Sequence, residues 1–246
     1  MSRSGRRVCL LTGAGGILGE AFCQRYRDKY DIAAVCRNRV PDVPSQFQEY
    51  RNPLAPKQAP TDEDHPVFVI RADLSEPNSL ERVIDLTLAR FGRIDVLVNN
   101  AANQAHGALL ENDRFVNGAA GQLHLNVAVP LRLATLAARL YWRDRYTENR
   151  TESRSIVNVS STAGLYIYRT PGQSLYSASK AALNFLTAHM AHEFQAIGIR
   201  VNALAPNSFP RIVATEAAAD GIARLDAGDM TGKTLILDKN VDRLVP

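Results

Sequence analysis

The chain has 246 residues, of which 46% are hydrophobic and 22% charged, and its formal net charge is +4. These shares are those of a soluble globular protein large enough to bury a substantial core. Its positive charges are scattered, which argues against a nucleic-acid binder, since such proteins concentrate Lys and Arg on one face. No stretch approaches the roughly 20 apolar residues that span a bilayer. Cys9, Cys23 and Cys36 show no metal-ligand spacing and suit a reducing compartment. The expectation is a cytoplasmic protein with no membrane, nucleic-acid or metal partner.

The first apolar run, "RVCLL" (7–11), leads directly into "TGAGGILGEAF" and a helical pattern over 17–30. Gly13, Gly15, Gly16 and Gly19 allow a tight turn with close backbone approach, and the following helix offers free N–H groups and its positive dipole end to a phosphate. A glycine cluster in a strand–turn–helix unit is the expected form of a dinucleotide site. The second strand, "DIAAVC" (31–36), is followed by "CRNR". NAD sites commonly place an acid there for the ribose 2′-hydroxyl. Arg37 and Arg39 stand here instead and suit a 2′-phosphate, which favours NADP(H) over NAD.

Residues 40–66 are proline-rich without a helical period and read as an irregular surface excursion. Then come a strand at "VFVIRAD" (67–73), a helix over 79–91, a strand at "DVLVNN" (95–100) and a long helix over about 119–142. The charged stretch 143–154 reads as a solvated loop. Further strands are expected at "SIVNVS" (155–160), "RVNALAP" (200–206) and "TLILD" (234–238), with a helix over 176–197 between the first two. The strand runs are rich in Val, Ile and Leu without alternation, as strands covered on both faces should be. The whole chain, 1–246, therefore reads as one α/β domain. Its predicted form is a Rossmann-type, doubly wound parallel sheet of about seven strands with helices on both faces.

The last long helix opens with "YSASK". Tyr176 and Lys180 stand four positions apart, so both side chains share one helix face. A phenol is a poor base near neutral pH unless a positive charge favours its ionised form. A lysine one turn away is such a charge. The alternative is packing alone, which the opposite face serves through Leu183, Leu186, Met190 and Phe194.

These segments together resemble the short-chain dehydrogenase/reductases, in their short single-domain branch. "TGAGGILG" (12–19), "ADL" (72–74), "NNAA" (99–102), Asn126 in "LHLNVAVP", "VNVSS" (157–161), "YSASK" (176–180) and "RVNALAP" (200–206) occur in the family's order. The resemblance implies a ketone or aldehyde reduced by NADPH, or the reverse. In it Tyr176 is the general acid/base, Lys180 its partner, Ser161 the donor to the substrate oxygen, and Asn126 the holder of a relay water. It also implies a cofactor cleft formed by Gly13, Gly16, Ile17, Leu18, Gly19, Arg37, Asp73, Leu74, Asn100 and Ala101, completed by Tyr176 and Lys180. His106, Tyr166 and Tyr168 are candidates for the border of the substrate pocket. A homodimer or homotetramer formed through the helices at 119–142 and 176–197 follows from the same resemblance.

The pattern departs from the family at four places. Ile17 stands where short members carry the middle glycine, and the proline-rich excursion replaces the second crossover helix. Pro206 is followed by Asn207 rather than glycine. Only about two dozen residues, 207–230, precede "TGKTLILD", so the substrate lid is expected to be short and the pocket open to a bulky or carrier-tethered substrate. An alternative of another class is a catalytically weak NAD(P)-binding interaction or regulatory protein on the same fold.

Overall fold

The Val, Ile and Leu runs form strands because their branched side chains fit a pleated surface covered on both sides. The computed structural model describes residues 5–45, 65–110, 113–169, 171–239 and 241–246. Its strands are β1 (Arg7–Thr12), β2 (Tyr30–Cys36), β3 (Val67–Arg71), β4 (Val96–Asn99), β5 (Ser155–Val159), β6 (Arg200–Pro206), β7 (Thr234–Asp238) and β8 (Val241–Val245). They form one sheet in the order β3-β2-β1-β4-β5-β6-β7-β8. All neighbours are parallel except β7 and β8.

Eight helices accompany the sheet among the described residues: α1 (Ile17–Tyr26), α2 (Ser79–Phe91), α3 (Asp113–Asn117), α4 (Ala119–Leu123), α5 (Val129–Ala137), α6 (Tyr146–Thr151), α7 (Ser174–Phe194) and α8 (Thr215–Ala227). Two π turns, His124–Ala128 and Ala138–Trp142, join α4 and α5 into one helical run over 119–142. Strand side chains alternate between two layers, as period two requires. Cys9 and Leu11 meet Phe22 of α1 and Ile222 and Leu225 of α8, while Val8 and Leu10 meet Leu80 and Ile84 of α2, Leu133 of α5 and Trp142. Because β2 and β4 flank β1, the crossovers diverge there. A crevice opens at the C-terminal edge of the strands, where folds of this kind bind ligands.

Three expectations need correction or limits. The expected parallel sheet is present, and among the described residues it has one strand more than the seven or so expected: Val241–Val245 pairs antiparallel with β7. Residues 40–45 of the proline-rich stretch are irregular, as expected of an excursion, but alternate between exposed and buried positions. Val43 and Ser45 are buried, and the Asp42 N–H donates to Glu20 of α1 (3.1 Å). The rest of that stretch, 46–64, lies outside the described residues.

The stretch 143–154 is largely exposed, as expected, but it is not a plain loop. It contains α6, and Asn149 and Arg154 are fully buried. Asn149 donates to the Trp142 and Ile197 carbonyls (2.8 and 2.7 Å). Arg154 donates to Asn149 (2.7 Å) and the Tyr141 hydroxyl (3.1 Å), and it pairs with Asp95 (3.4 Å) and Glu148. Asp95, also fully buried, accepts from the Val8 N–H (2.8 Å) and pairs with Arg93 (2.7 Å). Beside it Arg7 pairs with Asp226 (2.8 Å), which also accepts from Ser155 and Tyr30 (2.6 and 2.9 Å). Arg154 and Asp95 can be buried as charges because each has partners at the N-terminal edge of the sheet, while most other charges of the stretch stay exposed. Among the described residues, no helix is long and apolar enough to cross a membrane.

Removing Arg154 leaves Asp95 short of a buried partner. Arg154→Leu is therefore expected to lower unfolding stability by about 3 kcal/mol. Arg93→Leu, at a position 28% exposed, should cost clearly less. Urea unfolding midpoints of the two variants check this, and equal small losses would contradict the structural role given to the network.

Candidate active site

The glycine turn is fastened from behind. The Thr12 hydroxyl donates to the Val98 carbonyl (3.2 Å) and accepts from the N–H groups of Asn100 and Ala101 (2.9 and 3.0 Å). The Asn100 amide donates back to the carbonyls of Thr12 and Gly13 (3.0 and 3.1 Å). This brings the end of β4 so close that a Cβ on Gly13, whose φ is +67°, would lie 2.8 Å from the Ala101 Cα. Gly19 plays a different part from the one the resemblance assigns. It does not line the cleft; a Cβ there would lie 2.4 Å from the Gly13 carbonyl oxygen, so its role is to let α1 close on the turn. Gly16 caps α1 without a side-chain bond to the first-turn N–H groups. Ile17, 58% exposed, stands on the rim.

From this turn a cleft of about 900 Å³ runs past Arg37, Asp73 and Leu74 at one end and past Ser161, Tyr176 and Lys180 at the other. Arg37 is exposed and lies 3.7 Å from Asp73. Arg39, the other candidate for a 2′-phosphate, is held by Glu20 (2.6 Å) and does not line the cleft. Asp73 accepts from the Ser75 N–H (2.9 Å), which leaves its other carboxylate oxygen toward Arg37.

At the far end Lys180 is almost fully buried and donates from Nζ to the Val159 carbonyl (2.8 Å). Its Nζ lies 5.7 Å from the centroid of the Tyr176 ring, as spacing on one helix face predicts. Desolvation lowers the lysine to about 8. Burial pushes the Tyr176 phenol above its ordinary value, and hydrogen bonding with Ser161 pulls the other way. The two hydroxyls therefore lie near one another at this end of the cleft. The lysine's position does not by itself lower the phenol, which stays protonated at neutral pH. Ser161 also accepts from the Ala163 N–H (3.1 Å). Its short turn rests directly on α7: a Cβ on Gly164 would lie 2.6 Å from the Lys180 carbonyl carbon.

Asn126 stands one layer behind the cleft. Its Oδ1 accepts from the Asn103 N–H (2.7 Å), and its Nδ2 donates to the Asn103 carbonyl (2.9 Å) and Ser179 Oγ (3.0 Å). Ser179 in turn donates to the Tyr176 carbonyl (2.7 Å). Gln122, also buried, donates to the Asn103 and Ala105 carbonyls (3.1 and 3.2 Å). Asn126 lies within the first π turn, and Pro130, lacking an N–H, cannot serve its carbonyl four residues back. Sequence reasoning did not single out Ser179, Gln122 or Asn103. The available signal was the polarity of Gln122 and Ser179 on otherwise apolar helices; Asn103, in the loop after β4, gave none.

The substrate end is bordered by His106, whose ring meets Tyr176 edge-on at 5.7 Å, and by Tyr168, whose hydroxyl donates to Thr162 (2.7 Å). Tyr166 instead accepts from Arg243 of β8 (3.0 Å). Asn207 does not rely on a left-handed backbone. Its side chain donates to Asp238 (2.8 Å) and accepts from the Ser208 N–H (2.7 Å). Of the segment 207–230, the part from Thr215 to Ala227 is α8, packed on α1, so only 207–214 remains beside the cleft.

Comparison with known proteins bears on the family and the fold. A family model described as short chain dehydrogenase matches residues 7–220. The chain is 30% identical to an uncharacterised oxidoreductase of Schizosaccharomyces pombe, over 82% of this chain and 67% of that one. It is 28% identical to the 3-oxoacyl-(acyl-carrier-protein) reductase FabG of Thermotoga maritima, over 81% and 73%. A crystal structure of a short chain dehydrogenase from Mycobacterium smegmatis superposes with a TM-score of 0.77 at 23% identity, covering 98% of this chain and 95% of the other.

Lys180 makes stability depend on pH in a definite direction. Its pKa falls from 10.5 to about 8 on folding, so between those values the unfolded chain binds more protons and stability rises with pH. Below about pH 8 the penalty for the buried charge is present in full. Lys180→Met is expected to be more stable than wild type near neutral pH, with the margin shrinking toward pH 10.5. Urea unfolding across that range checks it; a margin independent of pH would contradict the burial of a charged ammonium.

Proposed function

The chain belongs to the short-chain dehydrogenase family, and from that premise we propose that it is an NADP(H)-dependent oxidoreductase interconverting a ketone or aldehyde with an alcohol. The observation that carries this reading is the meeting of Ser161, Tyr176 and Lys180 at one end of a cleft whose other end is the glycine turn. The residues present fit a dinucleotide: the uncapped first turn of α1 suits a diphosphate, and the exposed Arg37 at the end of β2 suits a 2′-phosphate. Gly13, Gly16, Leu18, Asn100 and Ala101 would line its path, with Asp73 and Leu74 at the adenine. When bound, the nicotinamide supplies or accepts the hydride.

The chain's own residues handle the proton and the developing charge. Tyr176, kept protonated by burial, is ready to give its proton to a forming alkoxide, which favours the reductive direction. Ser161 holds the same oxygen by a hydrogen bond, a contact that strengthens as negative charge grows there. Lys180, mostly protonated near neutral pH, offsets the phenolate left behind and refills it through a water. Asn126 is a positioning residue: its side chain fixes Asn103 and, through Ser179, the backbone of Tyr176. We assign Asn126 the part of holding that water near Lys180.

The small segment 207–214 and the exposed Leu109, Leu110, Leu165 and Ile167 on the loops carrying His106 and Tyr168 support a bulky or carrier-tethered substrate. Ile17 on the rim of the turn favours the second reading, a weakly active NAD(P)-binding protein. Tyr176→Phe decides between them. In NADPH oxidation across a carbonyl panel it should lose about 10²- to 10⁴-fold while binding NADPH unchanged. A wild type that binds NADPH and turns over nothing would overturn the enzyme reading.

Leu123, Leu131 and Leu140 on the helical run and Phe185 on α7 are exposed, which supports a homodimer or homotetramer. Light scattering should give a mass of two or four chains; a monomer at micromolar concentration would refute it.

A further inference from the structure

The cleft contains a cation to which the mechanism above gives no task. Arg211 lines it with an exposed side chain, and among the described residues no acid pairs with it. The other basic side chains on the walls are engaged: Arg37 lies 3.7 Å from Asp73, and Lys180 is held by the Val159 carbonyl (2.8 Å). Arg211 sits in a tight loop, closed by the N–H groups of Ile212 and Val213 bonding the Ser208 carbonyl (2.7 and 3.2 Å).

The height of this loop follows from two helices. α1 and α8 each descend from the C-terminal edge of the sheet, and they pack together. Arg25 and Tyr26 of α1 bind Asp220 of α8, the phenol at 2.7 Å, which fixes their relative level. Counting equal rises upward from that contact, Glu20 lies level with Thr215. Val213 is buried in the same layer as Ala14 and Leu18 of the glycine turn. Arg211 precedes α8 on the loop that leaves β6, and it lines the same cleft as Gly16 and Ile17.

We propose that Arg211 binds the diphosphate of the dinucleotide from the wall opposite the glycine turn. This rests on the reading that a dinucleotide occupies the cleft. A helix N-terminus presents about half a unit of positive charge, well short of what a diphosphate carries. Ile17 puts an apolar side chain on the same rim. A guanidinium on the facing wall adds a full charge and a planar pair of donors suited to phosphate oxygens. With the lid reduced to 207–214, the loop that carries Arg211 is also what remains to cover the cofactor.

The test is direct binding, read from NADPH fluorescence and from titration calorimetry with fragments. Arg211→Ala should weaken NADPH and 2′-phospho-ADP-ribose by about 10- to 100-fold, with Arg211→Lys in between. It should leave 2′-AMP, which lacks the diphosphate, unchanged. Thermal unfolding of the ligand-free variant should match wild type, since the side chain is exposed. Wild-type affinity for NADPH in Arg211→Ala overturns the proposal while leaving the dinucleotide reading intact. An equal loss for 2′-AMP also overturns it, because the cleft as a whole would then be disturbed. If wild type binds no dinucleotide, both fail together.

Discussion

A single carbonyl holds the lysine on which the site depends. Val159 ends β5 with its oxygen directed at Lys180 Nζ (2.8 Å), and the ammonium has almost no other access to a polar environment. Around this contact the neighbouring parts are placed without slack. Ser160 donates to the Lys180 carbonyl (3.2 Å), and Gly164 leaves no room for even a methyl group against the α7 backbone. The turn bearing Ser161 and the helix bearing Tyr176 are thus packed as one unit. An ammonium kept this dry is unfavourable for folding, and such residues are retained where chemistry needs them.

The polar residues behind the site form a second level of control. Asn126, Ser179 and the Tyr176 carbonyl make a chain of bonds between the helical run 119–142 and α7. Asn126 and Gln122 together hold the loop at 103–105. A buried amide that satisfies three backbone or hydroxyl partners admits one arrangement, because any shift strands a polar atom away from water. The π turn is part of this arrangement. Asn126 lies within it, bonded to Ser179 (3.0 Å), and Pro130 follows where a regular helix would need an N–H. Ser155, Asn158 and Asn202 continue the pattern inside the sheet, Asn158 binding both Asn99 and Thr187 (2.8 and 2.9 Å).

What was legible in the sequence is what depends on local pattern. The seven parallel strands announced themselves by unbroken runs of branched apolar residues, and the glycine turn by its place between strand and helix. Tyr176 and Lys180 could be paired because helix geometry alone puts them together. The failures share a physical origin, since each turned on a partner distant in the chain. The stretch around Asn149 and Arg154 looks solvated until Asp95 and Tyr141 are brought beside it. Arg39 looks as free as Arg37 until Glu20 is placed next to it. β8 has the composition of a charged tail, and it becomes a strand because β7 offers an open edge. Gly19 was assigned to a ligand when its lack of a side chain serves the contact between α1 and the turn.

The sheet separates these demands between its two ends. At the N-terminal edge, Arg7, Arg93, Arg154, Asp95 and Asp226 form a network in which each of these charges has an opposite partner. At the C-terminal edge the balance is reversed: uncapped N–H groups at α1, an ammonium held by one carbonyl, a phenol kept protonated, and an exposed Arg211 with no acid beside it among the described residues. Parallel strands make this division possible, because all crossovers return to the same edge and leave the opposite one to the loops. A stable lower edge allows the upper one to carry unbalanced groups without unfolding the chain. The short segment 207–214 then follows as a consequence for access rather than for stability, since α8 packs on α1 whether or not a lid precedes it.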